Sequence, residues 1–186
     1  MNKSILVVRG SARKKGYTNL LCDEICNIYK NDSVTVFDAY AENPLPCTGC
    51  NFCEKAGKCI NRDLDKFFEC FETADVIIFA SPVYNGTFTS PVKTLLDRFQ
   101  VYYTGFYANG KVQQIKKHRK AYLVAASGRD GEKAFDYMQK QLACSCSILN
   151  IQLVQSFLCP FTDTEPQYEK ALSEIIRSLH NEETQK

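Results

Sequence analysis

The stretch Ile5-Leu6-Val7-Val8-Arg9-Gly10-Ser11-Ala12-Arg13-Lys14-Lys15-Gly16-Tyr17-Thr18-Asn19 decides how the chain is read. It holds a four-residue apolar run, a loop of glycines, hydroxyls and cations, and the approach to Leu21, Ile25 and Ile28 at helical spacing. A strand that feeds a helix through such a loop is the opening half of a βαβ unit. Apolarity without alternation predicts a strand buried on both faces, as in a parallel sheet covered by helices.

The same pattern recurs along the chain. Residues 75–80 and 121–126 are continuous apolar runs, 34–37 is a shorter one, and 149–158 supplies a less regular fifth. Between them lie apolar stripes at helical spacing: Leu64, Phe67, Phe68 and Phe71, then Val92, Leu95, Leu96 and Phe99. Phe135, Met138 and Leu142 form the fourth, and Ala171, Leu172, Ile175, Ile176 and Leu179 the last. The order βαβαβαβαβα predicts one doubly wound α/β domain over residues 1–186, with a five-stranded parallel sheet and right-handed crossovers. Two segments break the rhythm. One is a cysteine loop at 44–61, opened by Pro44 and Pro46; the other is an aromatic insertion at 100–117 carrying Tyr102, Tyr103, Phe106 and Tyr107. The basic run Lys116-Lys117-His118-Arg119-Lys120 is expected to be a solvated entry to the fourth strand.

Composition narrows the function classes. A chain of 186 residues that is 45% hydrophobic suits one globular domain with a sizeable core. A formal net charge of +2 gives no polyanion signature, so no nucleic-acid partner is expected. No apolar segment approaches membrane-spanning length, and the run after Met1-Asn2-Lys3-Ser4 is too short for a secretory core; a cytoplasmic location is expected. Ten cysteines in a reducing compartment are not a disulfide framework. Six of them (Cys22, Cys26, Cys70, Cys144, Cys146 and Cys159) are scattered and expected to pack as small hydrophobes.

In open α/β sheets, ligands bind beyond the carboxyl ends of the strands where strand order reverses. The loop at 10–19 stands at such a place and runs into a helix N-terminus, whose free amides and dipole favour an anion. Ser11, Thr18 and Asn19 add short polar groups, and Arg13, Lys14 and Lys15 add charge. A Walker loop would need lysine after its second glycine, where Tyr17 follows Gly16; the dinucleotide fingerprint fails because Ala12 occupies its second glycine. A single terminal monophosphate suits the loop better. After the third strand, Ser81-Pro82-Val83-Tyr84-Asn85-Gly86 offers a tight turn shaped by Pro82 and Gly86, with Tyr84 available to face an aromatic ligand. Ser127-Gly128, after the fourth strand, would complete a third wall.

Cys47, Cys50, Cys53 and Cys59 form the densest cluster. Two successive two-residue gaps hold three thiolates near one inorganic centre, and a glycine-bearing return brings back the fourth. The spacing favours a [4Fe–4S] cluster over zinc, whose structural sites separate two pairs by a longer finger. An unmetallated thiol loop stays open as the other reading.

Three blocks together resemble a known family. Gly10-Ser11-x-Arg13-x-x-Gly16-x-Thr18 is similar to the FMN-phosphate loop of the NAD(P)H-dependent FMN reductases, within the flavodoxin-like superfamily. The block at 81–86, with Ser90-Pro91-Val92-Lys93-Thr94-Leu95-Leu96-Asp97-Arg98-Phe99, resembles the segment that lies along the flavin ring. The cysteine run with Asn61-Arg62-Asp63-Leu64 resembles the iron–sulfur flavoprotein branch. The likeness spans Met1 to about Ser127.

The resemblance implies a flavodoxin-like sheet in the order 2-1-3-4-5, with FMN at its switch point. It implies that Ser11, Arg13, Gly16, Tyr17, Thr18 and Asn19 hold the phosphate. Pro82, Val83, Tyr84, Asn85, Gly86, Ser127 and Gly128 would position the ring. NAD(P)H is the implied co-substrate, and no catalytic side chain is implied because the flavin carries the chemistry. Cys47, Cys50, Cys53 and Cys59 match all four ligand positions for the cluster. The implied partners are a small-molecule or ferredoxin-like acceptor and further copies of the chain, as a homodimer or homotetramer. Two rival functions are a non-enzymatic flavodoxin-type carrier, although such carriers are strongly acidic and this chain is slightly basic, and a zinc or thiol redox-sensing module.

Overall fold

The computed structural model describes residues 2–105, 115 and 117–183. Strands β1 (Ser4–Arg9), β2 (Ser33–Asp38), β3 (Val76–Pro82), β4 (Arg119–Ala126) and β5 (Ile151–Cys159) form one sheet in the order β2-β1-β3-β4-β5. Every neighbouring pair is parallel. This is the flavodoxin-like order expected from the resemblance.

Alternation of side chains across the pleat explains the unbroken apolar runs. Leu6, Val8, Ile77, Phe79, Leu123 and Ala125 enter one core, while Ile5, Val7, Val76, Ile78, Tyr122 and Val124 enter another. Each central strand serves both faces, so neither parity can be polar. Helices α1 (Tyr17–Ile28) and α8 (Tyr168–Glu183) cover the second core. Helices α4 (Asp65–Thr73), α5 (Ser90–Arg98) and α7 (Glu132–Ser147) cover the first. Among the described residues, three short helices, α2 (Ala39–Glu42), α3 (Phe52–Ala56) and α6 (Gln100–Tyr103), add to the five expected. They are too short to register as a 3.6-residue period.

The two edge strands are less apolar for a physical reason: each has one neighbour and a partly solvated face. In β2, Phe37 is buried while Val36 is exposed. In β5 the register slips, Leu153 pairing with Ala121 and Gln155 with Tyr122, so Val154 forms a bulge.

Two expectations need correction. Arg119 is fully buried rather than solvated: its Nη1 donates to the Phe71 carbonyl at 2.5 Å and its Nη2 to that of Leu149 at 2.7 Å. Its guanidinium lies 5.0 Å from the Phe71 ring centre, so carbonyls and a ring face, rather than water, surround the cation. Lys117 does sit at the surface, 2.7 Å from Asp75, and His118 Nδ1 lies 3.3 Å from Asn150 Oδ1. Tyr102, read as part of an insertion, is a core residue packed on Phe68, Phe71 and Phe99, with its hydroxyl donating to Glu72 at 2.8 Å. Phe106, Tyr107 and Lys116, from the remainder of that segment, lie outside the described residues.

Candidate functional site

The loop after β1 is braced from three sides. The Gly10 amide donates to the Ala80 carbonyl of β3 at 2.8 Å, and the Thr89 hydroxyl, just before α5, donates to the Gly10 carbonyl at 2.8 Å. A side chain at Gly10 would meet Val92 Cγ2 at 2.3 Å and the Ala80 oxygen at 2.6 Å. Only glycine lets α5 pack this close. Asn19 is buried in α1 and its Nδ2 donates to the carbonyls of Ser11 and Arg13 at 3.3 and 3.1 Å. The exposed Arg13 and Lys15 share a cavity wall with the start of α1, whose first turn carries no acidic residue. The helix N-terminus therefore keeps its full preference for an anion.

A cavity of about 480 Å³ opens beyond the carboxyl ends of the strands. Of the sequence candidates, Ser11, Arg13, Gly16, Tyr17 and Thr18 line it from the first loop. Pro82, Val83 and Tyr84 line it from the end of β3, and Gly128 from the loop after β4. Four candidates do not line it. Asn19 shapes the first loop from inside. Asn85 and Gly86, at φ 49° and 81°, make the two-residue turn on which Tyr84 and Thr87 exchange backbone hydrogen bonds of 2.9 and 3.0 Å. Both positive φ values are those of a type I′ hairpin turn, which leaves Tyr84 exposed at the rim. Ser127 is bound through its backbone, donating to the Cys159 carbonyl at 3.0 Å and accepting from the Thr162 amide at 2.9 Å.

The cavity also takes in Lys15, expected to add charge to the loop, and Ala126, Thr162 and Asp163, which the sequence did not mark as site residues. The loop after β5 reaches the site because it is laced to the loop after β4: Phe161 donates to Arg129, Thr162 to Ser127 and Asp163 to Gly128. The polar run Thr162-Asp163 after the last apolar strand was the available signal. The switch point of this sheet lies between β1 and β3, away from the loop after β5.

The cysteine loop lies at the other end of α5. Cys47 and Cys50 are exposed, and Cys53 and Cys59 are half-buried. All four line one cavity of about 40 Å³ together with Arg98. Among the described residues, no group of three or more His, Cys, Asp or Glu is arranged to hold a metal ion. The donor set, four soft thiol ligands facing one space, fits an iron–sulfur centre by its chemistry. The spacing of the cysteines gathers them around one space without bringing them to ligand geometry. The buried thiols elsewhere are of another kind. Burial pushes Cys22 and Cys146 up to about 12 and Cys159 to about 11, which keeps them protonated and unreactive near neutral pH.

A family model described as NADPH-dependent FMN reductase matches residues 4–161. This chain belongs to that family. The sequence relatives carry the name iron–sulfur flavoprotein. One, from Methanocaldococcus jannaschii, is 38% identical over 111 residues, covering 58% of each chain. Another, from Clostridioides difficile, is 34% identical over 100 residues, covering 50% of this chain and 44% of its own. The chain thus spans about half the length of the curated relatives it matches. The fold is shared with an NAD(P)H:quinone oxidoreductase from Methanothermobacter marburgensis, at TM-score 0.72 and 16% identity over 96% of this chain and 94% of the other. It is also shared with an FMN-dependent NADH-azoreductase from Bacillus anthracis solved with FMN, at TM-score 0.68 and 16% identity over 99% of each. No helix among the described residues is long and apolar enough to cross a membrane.

Proposed function

We propose that the chain is an FMN-dependent NAD(P)H oxidoreductase that passes electrons to a small-molecule or protein acceptor through a [4Fe–4S] cluster on Cys47, Cys50, Cys53 and Cys59. The observation that carries this reading is the division of the 480 Å³ cavity, whose size is ordinary for a cofactor site. One end has the hydroxyls of Ser11 and Thr18, the cations Arg13 and Lys15 and the start of α1; the other has Pro82, Val83 and Tyr84. The first end suits a phosphate and the second the edge and face of a ring.

FMN, when bound, supplies the hydride and electron chemistry of the site. The chain's own groups have simpler tasks. Ser11 and Thr18 donate hydrogen bonds to the phosphate, Arg13 and Lys15 balance its charge, and Asn19 keeps the loop bent around it. Pro82, Val83, Tyr84 and Gly128 wall the ring, while the hairpin at Asn85-Gly86 and the backbone of Ser127 hold those walls in place. A slightly basic chain suits the phosphates of NADH or NADPH better than the acidic surface of a flavodoxin carrier would. The reading includes a homodimer or homotetramer working in the cytoplasm.

Purification without oxygen, followed by a visible spectrum and counts of flavin, iron and sulfide, tests it. One FMN and about four iron and four sulfide per chain are expected, with the flavin bleached by NADH or NADPH. Flavin without iron or sulfide removes the cluster. A flavin that neither nucleotide reduces leaves the carrier reading, and a chain without flavin overturns the whole proposal.

A further inference from the structure

Arg98 is 1% exposed at the C-terminal end of α5, and both its terminal nitrogens bind the stems of the cysteine loop. Its Nη1 donates to the Leu45 carbonyl at 2.7 Å and to Asp63 Oδ2 at 3.2 Å. Its Nη2 donates to the Asn61 carbonyl at 2.9 Å and lies 3.0 Å from Asp63 Oδ1. Asp63 Oδ2 in turn accepts the Leu45 amide at 2.8 Å. Leu45 precedes the first cysteine by two residues, and Asn61 follows the last by two. One guanidinium and one carboxylate therefore close both stems of the loop on each other. Arg98 also lines the cavity shared by the four cysteines, and its buried Nε–H meets no acceptor among the described residues.

We propose that Arg98 is the positioning residue of the cysteine loop: with Asp63 it clamps the two stems so that four thiols face one space, and it adds a buried cation with a spare donor to that space. Lysine does not substitute, because a point charge cannot serve two carbonyls and a bidentate carboxylate together. The clamp stands at the opposite end of α5 from the flavin cavity, where Thr89, just before the helix, and Val92 meet the loop after β1. The role in metal binding rests on the cysteine-loop reading given above; the clamping does not.

The test uses the full-length, FMN-loaded protein with its thiols reduced and any iron removed, as wild type, Arg98→Met, Arg98→Lys and Asp63→Asn. Alkylation of each cysteine is timed by mass spectrometry, with exposed Cys144 as the reference and buried Cys22, Cys146 and Cys159 as reporters of global opening. In the variants, labelling of Cys53 and Cys59 is expected to quicken about tenfold relative to Cys144, as local opening of one segment would produce, while the three buried cysteines stay protected and FMN content stays unchanged. Unchanged rates at Cys53 and Cys59 overturn the clamp. Faster labelling of the buried cysteines in every variant also overturns it, because Arg98 would then be supporting the whole fold; should Arg98→Met alone not fold, Asp63→Asn decides. Titration with Cd²⁺ separates this inference from the cluster reading. Wild type that binds one Cd²⁺ about tenfold more tightly than the variants supports both. A wild type that takes up no Cd²⁺ removes the metal reading and leaves the clamp to stand or fall on the labelling rates.

Discussion

At the scale of single residues, charge and hydroxyl chemistry near the start of α1 is expected to set cofactor affinity. Arg13 is exposed and supports no core packing, so its removal tests binding with little effect on folding. Arg13→Ala is expected to weaken FMN binding roughly 10- to 100-fold, the range of one charge-assisted hydrogen bond, as read by quenching of flavin fluorescence on titration into apoprotein. Equal affinity in the variant would move the phosphate away from this loop. Most of these groups were legible in the sequence, because Ser11, Arg13, Gly16 and Thr18 are adjacent in the chain and adjacent on the cavity wall. Thr162 and Asp163 were not, since hydrogen bonds between two loops far apart in sequence bring them there. Asn19 shows a finer limit. Its place beside the loop was readable, but only its buried geometry shows that it braces carbonyls from behind the wall.

At the scale of elements, α5 joins the two candidate centres. Its start is pinned to the loop after β1 by Thr89 and by the close approach of Val92 to Gly10, and its end holds the cysteine loop through Arg98. Gly10→Ala would push Val92 and the end of β3 away from the loop. The expected cost is about 1–3 kcal/mol of stability, typical of forcing a methyl group into a packed contact, measured by denaturant unfolding, together with weaker FMN retention. A variant as stable as wild type would show that α5 can shift freely here. The helix itself was visible as a stripe of Val92, Leu95, Leu96 and Phe99. Its double attachment was not, because Arg98 sits beside that stripe and only the fold brings Leu45, Asn61 and Asp63 to it.

At the scale of the whole molecule, pH is expected to bound stability from both sides. Burial alone would raise the Asp63 carboxyl, but hydrogen bonds from Arg98 and the Leu45 amide outweigh it and hold the group below the usual carboxylate range. Asp75 is held low in the same way, burial being overcome by Lys117 and the Ser4 amide. A depressed carboxylate contributes stability that is present above its unfolded pKa and lost as pH falls through its folded one, so stability should decline below about pH 4. Cys22 and Cys146 run the other way. Their thiols, raised to about 12 by burial, contribute stability present below the unfolded pKa and lost as pH rises towards the folded value. Unfolding curves collected across pH should therefore show a plateau between about pH 4 and pH 9 with losses at both ends. Unchanged stability on acidification would show that neither carboxylate pair supports the native state.

The sequence by itself determined the five strands, the five long helices and the order in which they alternate. Those follow from periodicity along the chain, and burial of both faces of β1, β3 and β4 leaves few alternatives to a parallel, doubly covered sheet. It also located the loop whose residues line the cavity, because phosphate-suited groups lie within one turn of chain at a helix N-terminus. Tertiary structure alone decided which distant groups complete those sites. Asp163 beside Gly128, Arg119 under Phe71 and Arg98 across the stems of the cysteine loop are each placed by packing between separate elements. Pattern along a chain records which residues need burial; it does not record which partners they meet when buried.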